Sequence, residues 1–233
     1  MKRTAIVAIL GACALGTTAL AAVGITTLPT GWKIQGPEGA VATVGTLPTG
    51  VVVSRDGSQV FELESGHQKP ALRVLDATTL KEIRSVPLSG AFGAPLRDPN
   101  GDGVWVSVAG TFQDAIAHVD TATGLVDKTV SLPIPFYPVA IARAPNGLIA
   151  VAGDLANRVA FVEPSLGIAN ATYDVGHHPA ALVWTPNGRL YVADRGSNTV
   201  DVVGTRPNHI VVGSHPDALA TDGKHVYVAV SDD

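Results

Sequence analysis

Four times along this chain a proline is followed two residues later by a small residue and three residues later by an aliphatic one. The copies are Pro48-Thr49-Gly50-Val51, Pro138-Val139-Ala140-Ile141, Pro179-Ala180-Ala181-Leu182 and Pro216-Asp217-Ala218-Leu219. A degenerate copy falls between the first two, with Phe92 in place of the proline and Ala94 in the small column. A repeat constrains the fold before any local reading does, because each copy must be one supersecondary unit that buries its apolar face on its neighbours.

Each copy continues in the same way. A hairpin glycine follows at Gly57, Gly101, Gly147, Gly188 and Gly223, at intervals of 44, 46, 41 and 35 residues. In Asp56-Gly57, Asn146-Gly147, Asn187-Gly188 and Asp222-Gly223 it completes a dipeptide suited to the positive φ of a tight hairpin. Strands carrying an aromatic come next, with Phe61, Trp105, Tyr191 and Tyr227. A third strand runs into a polar turn opening at Asp76 or Asp120, and a fourth, such as Lys128-Thr129-Val130-Ser131-Leu132, closes the unit. Four strands per unit at a period near 43 is the pattern of an all-β propeller built from four-stranded antiparallel blades. The small column has a physical reason in such a ring. Inner strands converge on an axis and leave little room between blades, while farther out the blades splay and bulky aromatics fill the gap. Helical repeats are excluded by 25 Gly and 16 Pro among 233 residues.

Residues 45 to 212 hold four full units, and 213 to 233 supply the two inner strands of a fifth. Residues 22–44 precede them as a separate segment, in which Lys33-Ile34-Gln35 and Ala40-Val41-Ala42-Thr43-Val44 flank the turn Gly36-Pro37-Glu38-Gly39 like an outer-strand hairpin. Two rings fit this count. The expected one is part of a larger, seven-bladed ring that is incomplete at the C-terminus; the alternative is a closed five-bladed ring completed by that hairpin.

Residues 1–21 read as an export signal: Lys2 and Arg3, an apolar middle, and the small-residue end Ala19-Leu20-Ala21. Retention as a bilayer anchor and lipidation of Cys13, in Leu10-Gly11-Ala12-Cys13, are the alternatives, and either would be the chain's sole route to a membrane. The expected location is the periplasm, the cell surface or the exterior. Cys13 is the only cysteine, so a cleaved chain has neither disulfide nor thiol chemistry. With 16 Lys and Arg against 20 Asp and Glu, the net charge of −4 argues against a nucleic-acid partner.

The stretch from Val175-Gly176 through Pro179, Asn187-Gly188, Tyr191-Val192-Ala193 and Asn198-Thr199-Val200 resembles the YVTN-type β-propeller repeat, and Tyr227-Val228-Ala229 repeats part of it. That family's units run V-G-x-x-P, S-P-D-G, Y-V-A-N, N-T-V-x-V-I-D. The resemblance implies an exported bacterial propeller of seven blades. Some members precede an alkaline-phosphatase-like phosphoesterase domain, and Leu28-Pro29-Thr30-Gly31-Trp32-Lys33-Ile34 is similar to the start of such propellers. No residue of this chain resembles that second domain.

Several residue groups are candidates for function. His178 and His215 each precede a unit's first proline, Tyr137 holds that place in the third unit and Leu47 in the first. These positions ring one mouth of a propeller's channel, and with His177 they offer imidazoles for a ligand, an anion or a metal. Solvated loop histidines are the plainer reading. Glu64, Asp154 and Asp194 follow second strands and are expected in loops facing the same or a neighbouring rim, with Arg195 beside Asp194 as a surface pair or a substrate clamp. Asp98-Pro99-Asn100-Gly101-Asp102-Gly103 has the spacing of a calcium loop in Asp98, Asn100 and Asp102, but Ala109 stands where the completing acid belongs. The same residues also make an ordinary hairpin turn. There is no nucleophile elbow, HExxH, phosphate loop or dinucleotide fingerprint. The expectation is therefore a secreted or surface-exposed module that binds a protein, glycan or small molecule without cofactor or catalysis of its own. The alternative is part of a hydrolase, either metal-dependent and lactonase-like or the non-catalytic half of a phosphoesterase.

Overall fold

The computed structural model describes residues 42–66, 69–99, 101, 103–110, 113–204 and 209–231, together with two short strands, β1 (Ile25–Thr27) and β2 (Lys33–Gln35). The chain divides into two units, Met1–Val41 and Ala42–Asp233. The expected export signal, residues 1–21, lies outside the described residues. In the first unit β1 pairs antiparallel with β2, Thr26 opposite Ile34. The turn of the hairpin expected across Gly36–Gly39, with Ala40 and Val41, lies outside the described residues. Among the described residues Lys33–Gln35 pairs with the β-branched run upstream of it, and Ala42, Thr43 and Val44 carry no strand.

The second unit is all β. Its first sheet is β3 (Pro48–Val53), β4 (Gln59–Glu64), β5 (Ala71–Asp76) and β6 (Glu82–Pro87). The second is β7 (Phe92–Arg97), β8 (Gly103–Ala109), β9 (Asp114–Asp120) and β10 (Leu125–Ser131). The third is β11 (Pro138–Arg143), β12 (Ile149–Gly153), β13 (Arg158–Glu163) and β14 (Ile168–Asp174). The fourth is β15 (Pro179–Trp184), β16 (Leu190–Asp194), β17 (Thr199–Val203) and β18 (Ile210–Val211), and β19 (Pro216–Thr221) pairs with β20 (Val226–Val230). Each sheet is an antiparallel meander in chain order. No helix among the described residues is long and apolar enough to cross a membrane.

The first strands of the sheets, β3, β7, β11, β15 and β19, lie side by side in that order. Their register repeats. Pro48, Pro138, Pro179 and Pro216 oppose Glu64, Gly153, Asp194 and Val230, and in each pair the register slips by one residue before Gly50, Ala140, Ala181 or Ala218. The small column is thus structurally equivalent in all four copies. The hairpin glycines Gly57, Gly147, Gly188 and Gly223 carry the expected positive φ.

Alternation along the strands sends one set of side chains to each neighbouring sheet. Phe61, Leu63, Leu72 and Val74 of the first sheet bury against Val104, Val106 and Val119 of the second. Trp105, Ile116 and Val130 of the second meet Ile149, Val151 and Val162 of the third. Ala150 and Val159 of the third meet Leu190 and Val192 of the fourth. The core is a series of sheet-to-sheet layers, and the aromatics Phe61 and Trp105 within them are almost fully buried. Tyr227, on the last sheet described, is 55% exposed.

Candidate functional site

The residue before each inner strand is fixed by its backbone. The carbonyls of Leu47, Tyr137, His178 and His215 accept the N–H of Ser65, Asp154, Arg195 and Ser231 at 3.0, 3.1, 3.0 and 3.2 Å. This one contact, repeated on four sheets, puts those residues at the same end of their inner strands. Tyr137, His178 and His215 also adopt left-handed backbone, with φ of 55°, 52° and 50°. That conformation is costly for residues bearing a Cβ, and surrounding contacts must hold it. For two of them the holder is visible: His178 N–H donates to Asn157 Oδ1 at 2.9 Å and His215 N–H to Asn198 Oδ1 at 3.0 Å.

Three side-chain groupings follow along this rim. The rings of Phe92 and Tyr137 lie 5.9 Å apart, tilted. His178 Nδ1 stands 3.3 Å from Asp154 Oδ1, so an imidazole of one sheet meets a carboxylate of the sheet before it. Arg195 Nε donates to Asp217 Oδ1 of the following sheet. The Ser231 hydroxyl first, and then Arg195, holds the Asp217 carboxyl below its ordinary pKa, so it is an anion at neutral pH. His177 lies beside the rim, its main-chain N–H on Ser197 Oγ at 2.7 Å. The rim therefore joins an aromatic pair, an imidazole–carboxylate pair and a guanidinium–carboxylate pair.

Two of the acids expected at the rim are not on it. Glu64 is fully buried, and its Oε1 accepts the N–H groups of Thr46, Leu47 and Gly66 at 3.0, 3.0 and 2.8 Å. Asp194 is also fully buried, with Thr199 Oγ1 at 3.5 Å and Asp201 beside it. Burial, and then the Asp201 charge, raises the Asp194 pKa well above the carboxylate range. Arg195 consequently pairs with Asp217 and not with Asp194. Buried acids serve the same end elsewhere: Asp114 Oδ2 accepts Phe136 N–H at 2.7 Å and Asp201 Oδ2 accepts Gly176 N–H at 3.1 Å. Each pins the segment leading into an inner strand and so fixes where a rim residue sits. The sequence signal for Asn157 was its recurrence as Asn198 at the same place in the next unit, whereas Asp217 has none, since Thr49, Val139 and Ala180 hold its place in the other units.

Asp98 turns inward. Its Oδ2 accepts Trp105 Nε1 at 3.4 Å and stands 3.8 Å from both His118 Nε2 and Arg143 Nη2. Asn100 and Asp102, the other members of the expected calcium loop, lie outside the described residues. Among the described residues no group of three or more His, Cys, Asp or Glu is placed to hold a metal ion.

No protein-family model and no curated protein matches the chain. Solved structures do. A virginiamycin B lyase from Staphylococcus aureus is similar with a TM-score of 0.64 and 17% identity, over 78% of this chain and 62% of that one. A catalytically inactive variant of that lyase with quinupristin aligns at a TM-score of 0.67 and 13% identity, over 87% and 68%. The periplasmic gluconolactonase PpgL of Pseudomonas aeruginosa aligns at 0.65 and 17% identity, over 86% and 67%. The fold is a β-propeller. At these identities the likeness reaches no further than the fold, and the chain spans about two thirds of the length of these propellers.

Proposed function

We propose that the rim carrying Tyr137, His178 and His215 is the ligand-recognition face of an exported propeller, and that it binds a small organic molecule without transforming it. The observation that carries this reading is the left-handed backbone at all three positions. A strained conformation is kept at equivalent places on three sheets, and it carries an aromatic or imidazole side chain at each, with His178 and His215 exposed. The Phe92–Tyr137 pair offers an apolar surface, and Arg195 with His178 offers donors to an acceptor group on the same molecule. Ligand-observed NMR with a mixture of lactones, sugars and aromatic acids tests it. Signals that broaden with the wild type and recover with Tyr137→Ala and with His178→Ala support the proposal. Broadening that both variants leave intact contradicts it.

A second reading has one observation behind it. The His178–Asp154 pair is the arrangement of an imidazole oriented by a carboxylate for acid–base work, and the similar folds include a lyase and a gluconolactonase. Turnover of a lactone or of a streptogramin B by the wild type, lost in His178→Ala and reduced in Asp154→Asn, would establish it in place of plain binding.

A further inference from the structure

The repeat supplies an internal control at the opposite ends of the inner strands. Ser54, Asp98, Ala144 and Thr185 hold equivalent places, because the N–H of each closes its hairpin on the carbonyl of the residue that opens the next strand or stands just before it. Those acceptors are Gln59, Gly103, Leu148 and Arg189, at 2.9, 2.9, 2.7 and 2.9 Å. The residues just before the four donors, Val53, Arg97, Arg143 and Trp184, end the inner strands. Arg143 turns back toward the preceding sheet and meets Asp98 there, Nη2 to Oδ2 3.8 Å. Arg97 occupies the same place one sheet earlier, and Ser54 stands where its acid would be. The Arg97 side chain accordingly has no hydrogen bond or ion pair among the described residues.

Arg97 lines a cavity. A space of about 590 Å³ lies between the first two sheets, lined by Arg97, Arg55, Ser54, Gln59, Phe61 and Thr121 among others. Among the described residues that line it the acid is Asp56, which is engaged within its own turn by Ser54 Oγ, Ser58 Oγ and Ser58 N–H. Arg55 reaches only the Pro99 carbonyl, at 3.4 Å. Two guanidinium groups face one cavity of ligand size whose wall includes an aromatic ring. We infer that this interblade cavity is a second binding site, distinct from the rim, and that it takes a small carboxylate on an apolar body. The carboxylate replaces the acid that Asp98 provides to Arg143, as a planar group matching the guanidinium fork. Arg55 adds a second charge, and the ring body lies toward Phe61.

Calorimetry on the full chain with benzoate and indole-3-acetate, beside benzamide and indole-3-acetamide, tests the assignment. Two variants accompany it: Arg97→Gln removes the receptor, and Ser54→Asp installs the missing internal acid. Saturable binding of a carboxylate but not its amide, weakened about tenfold or more by each variant, is the expected result. Should Ser54→Asp disturb the hairpin, seen as a lowered melting temperature, Arg97→Gln decides alone. Absence of carboxylate binding, equal binding of the amides, binding unchanged in Arg97→Gln, or inorganic phosphate binding as tightly as either acid would each overturn it.

Discussion

Gly50 and Ala94 face each other between the inner strands of the first two sheets, so closely that a Cβ on Gly50 would stand 2.3 Å from Ala94 Cα. That contact is the small column of the sequence seen from inside the fold: inner strands approach until only hydrogen or methyl fits between them. Gly50→Val therefore forces two strands apart. It should cost about 1–3 kcal/mol, read by urea unfolding. Gly57→Asn, at a hairpin where a Cβ would meet nothing within 4 Å, should cost well under half as much.

Glu64 gives a stability effect with a defined sign. Burial alone would raise its pKa, but the N–H donors of Leu47, Gly66 and Thr46 outweigh burial and lower it. A carboxylate with a depressed folded-state pKa adds stability above its unfolded value, and that contribution is lost as pH falls through the folded value. Glu64→Gln should lower stability at pH 7 by about 1–3 kcal/mol, and the gap to wild type should narrow in acid. Unfolding midpoints at pH 7 and pH 3 check both statements.

Glu62 and Asp194 act in the opposite direction. Burial, then the Glu64 charge, pushes Glu62 up to about 7, and neither of its carboxylate oxygens has a hydrogen-bond partner. Asp194 is raised by burial and by Asp201. Both hold a proton in the folded state that the unfolded chain gives up near pH 4, so their contribution falls as pH rises from about 4 through their folded values. Wild-type stability should decline between pH 5 and pH 8 through these two groups. Glu62→Gln and Asp194→Asn should each flatten that decline in thermal melts taken across the range.

The repeat was legible because its cause is geometric and recurs: Gly50, Ala140, Ala181 and Ala218 meet the same register slip. The rim was legible only in part. Asp154 and Asp194 look alike in sequence, yet β12 ends at Gly153 and β16 at Asp194, so Asp154 corresponds to Arg195. A shift of one residue at a strand end turns a side chain from rim to interior, and no periodicity reveals it. The Arg195–Asp217 pair spans 22 residues and two sheets, so no local pattern could announce it. In the first unit the strands are three residues long, too short for alternation to choose a partner.

Strain at the rim predicts a trade between stability and recognition. Replacing His215, exposed and at φ 50°, by glycine removes the steric cost of left-handed backbone. His215→Gly should melt no lower than wild type while losing rim binding. Asn198→Ala, which removes the acceptor of His215 N–H, should instead cost about 1 kcal/mol.

Tapering sheets bring register-equivalent residues to one axis and one mouth, and a crystal structure of the full chain measures this directly. It should show β3, β7, β11, β15 and β19 side by side, with Tyr137, His178 and His215 left-handed at the same end. Those three residues at different ends of their strands, or Ala140, Ala181 and Ala218 in unlike surroundings, would contradict the account.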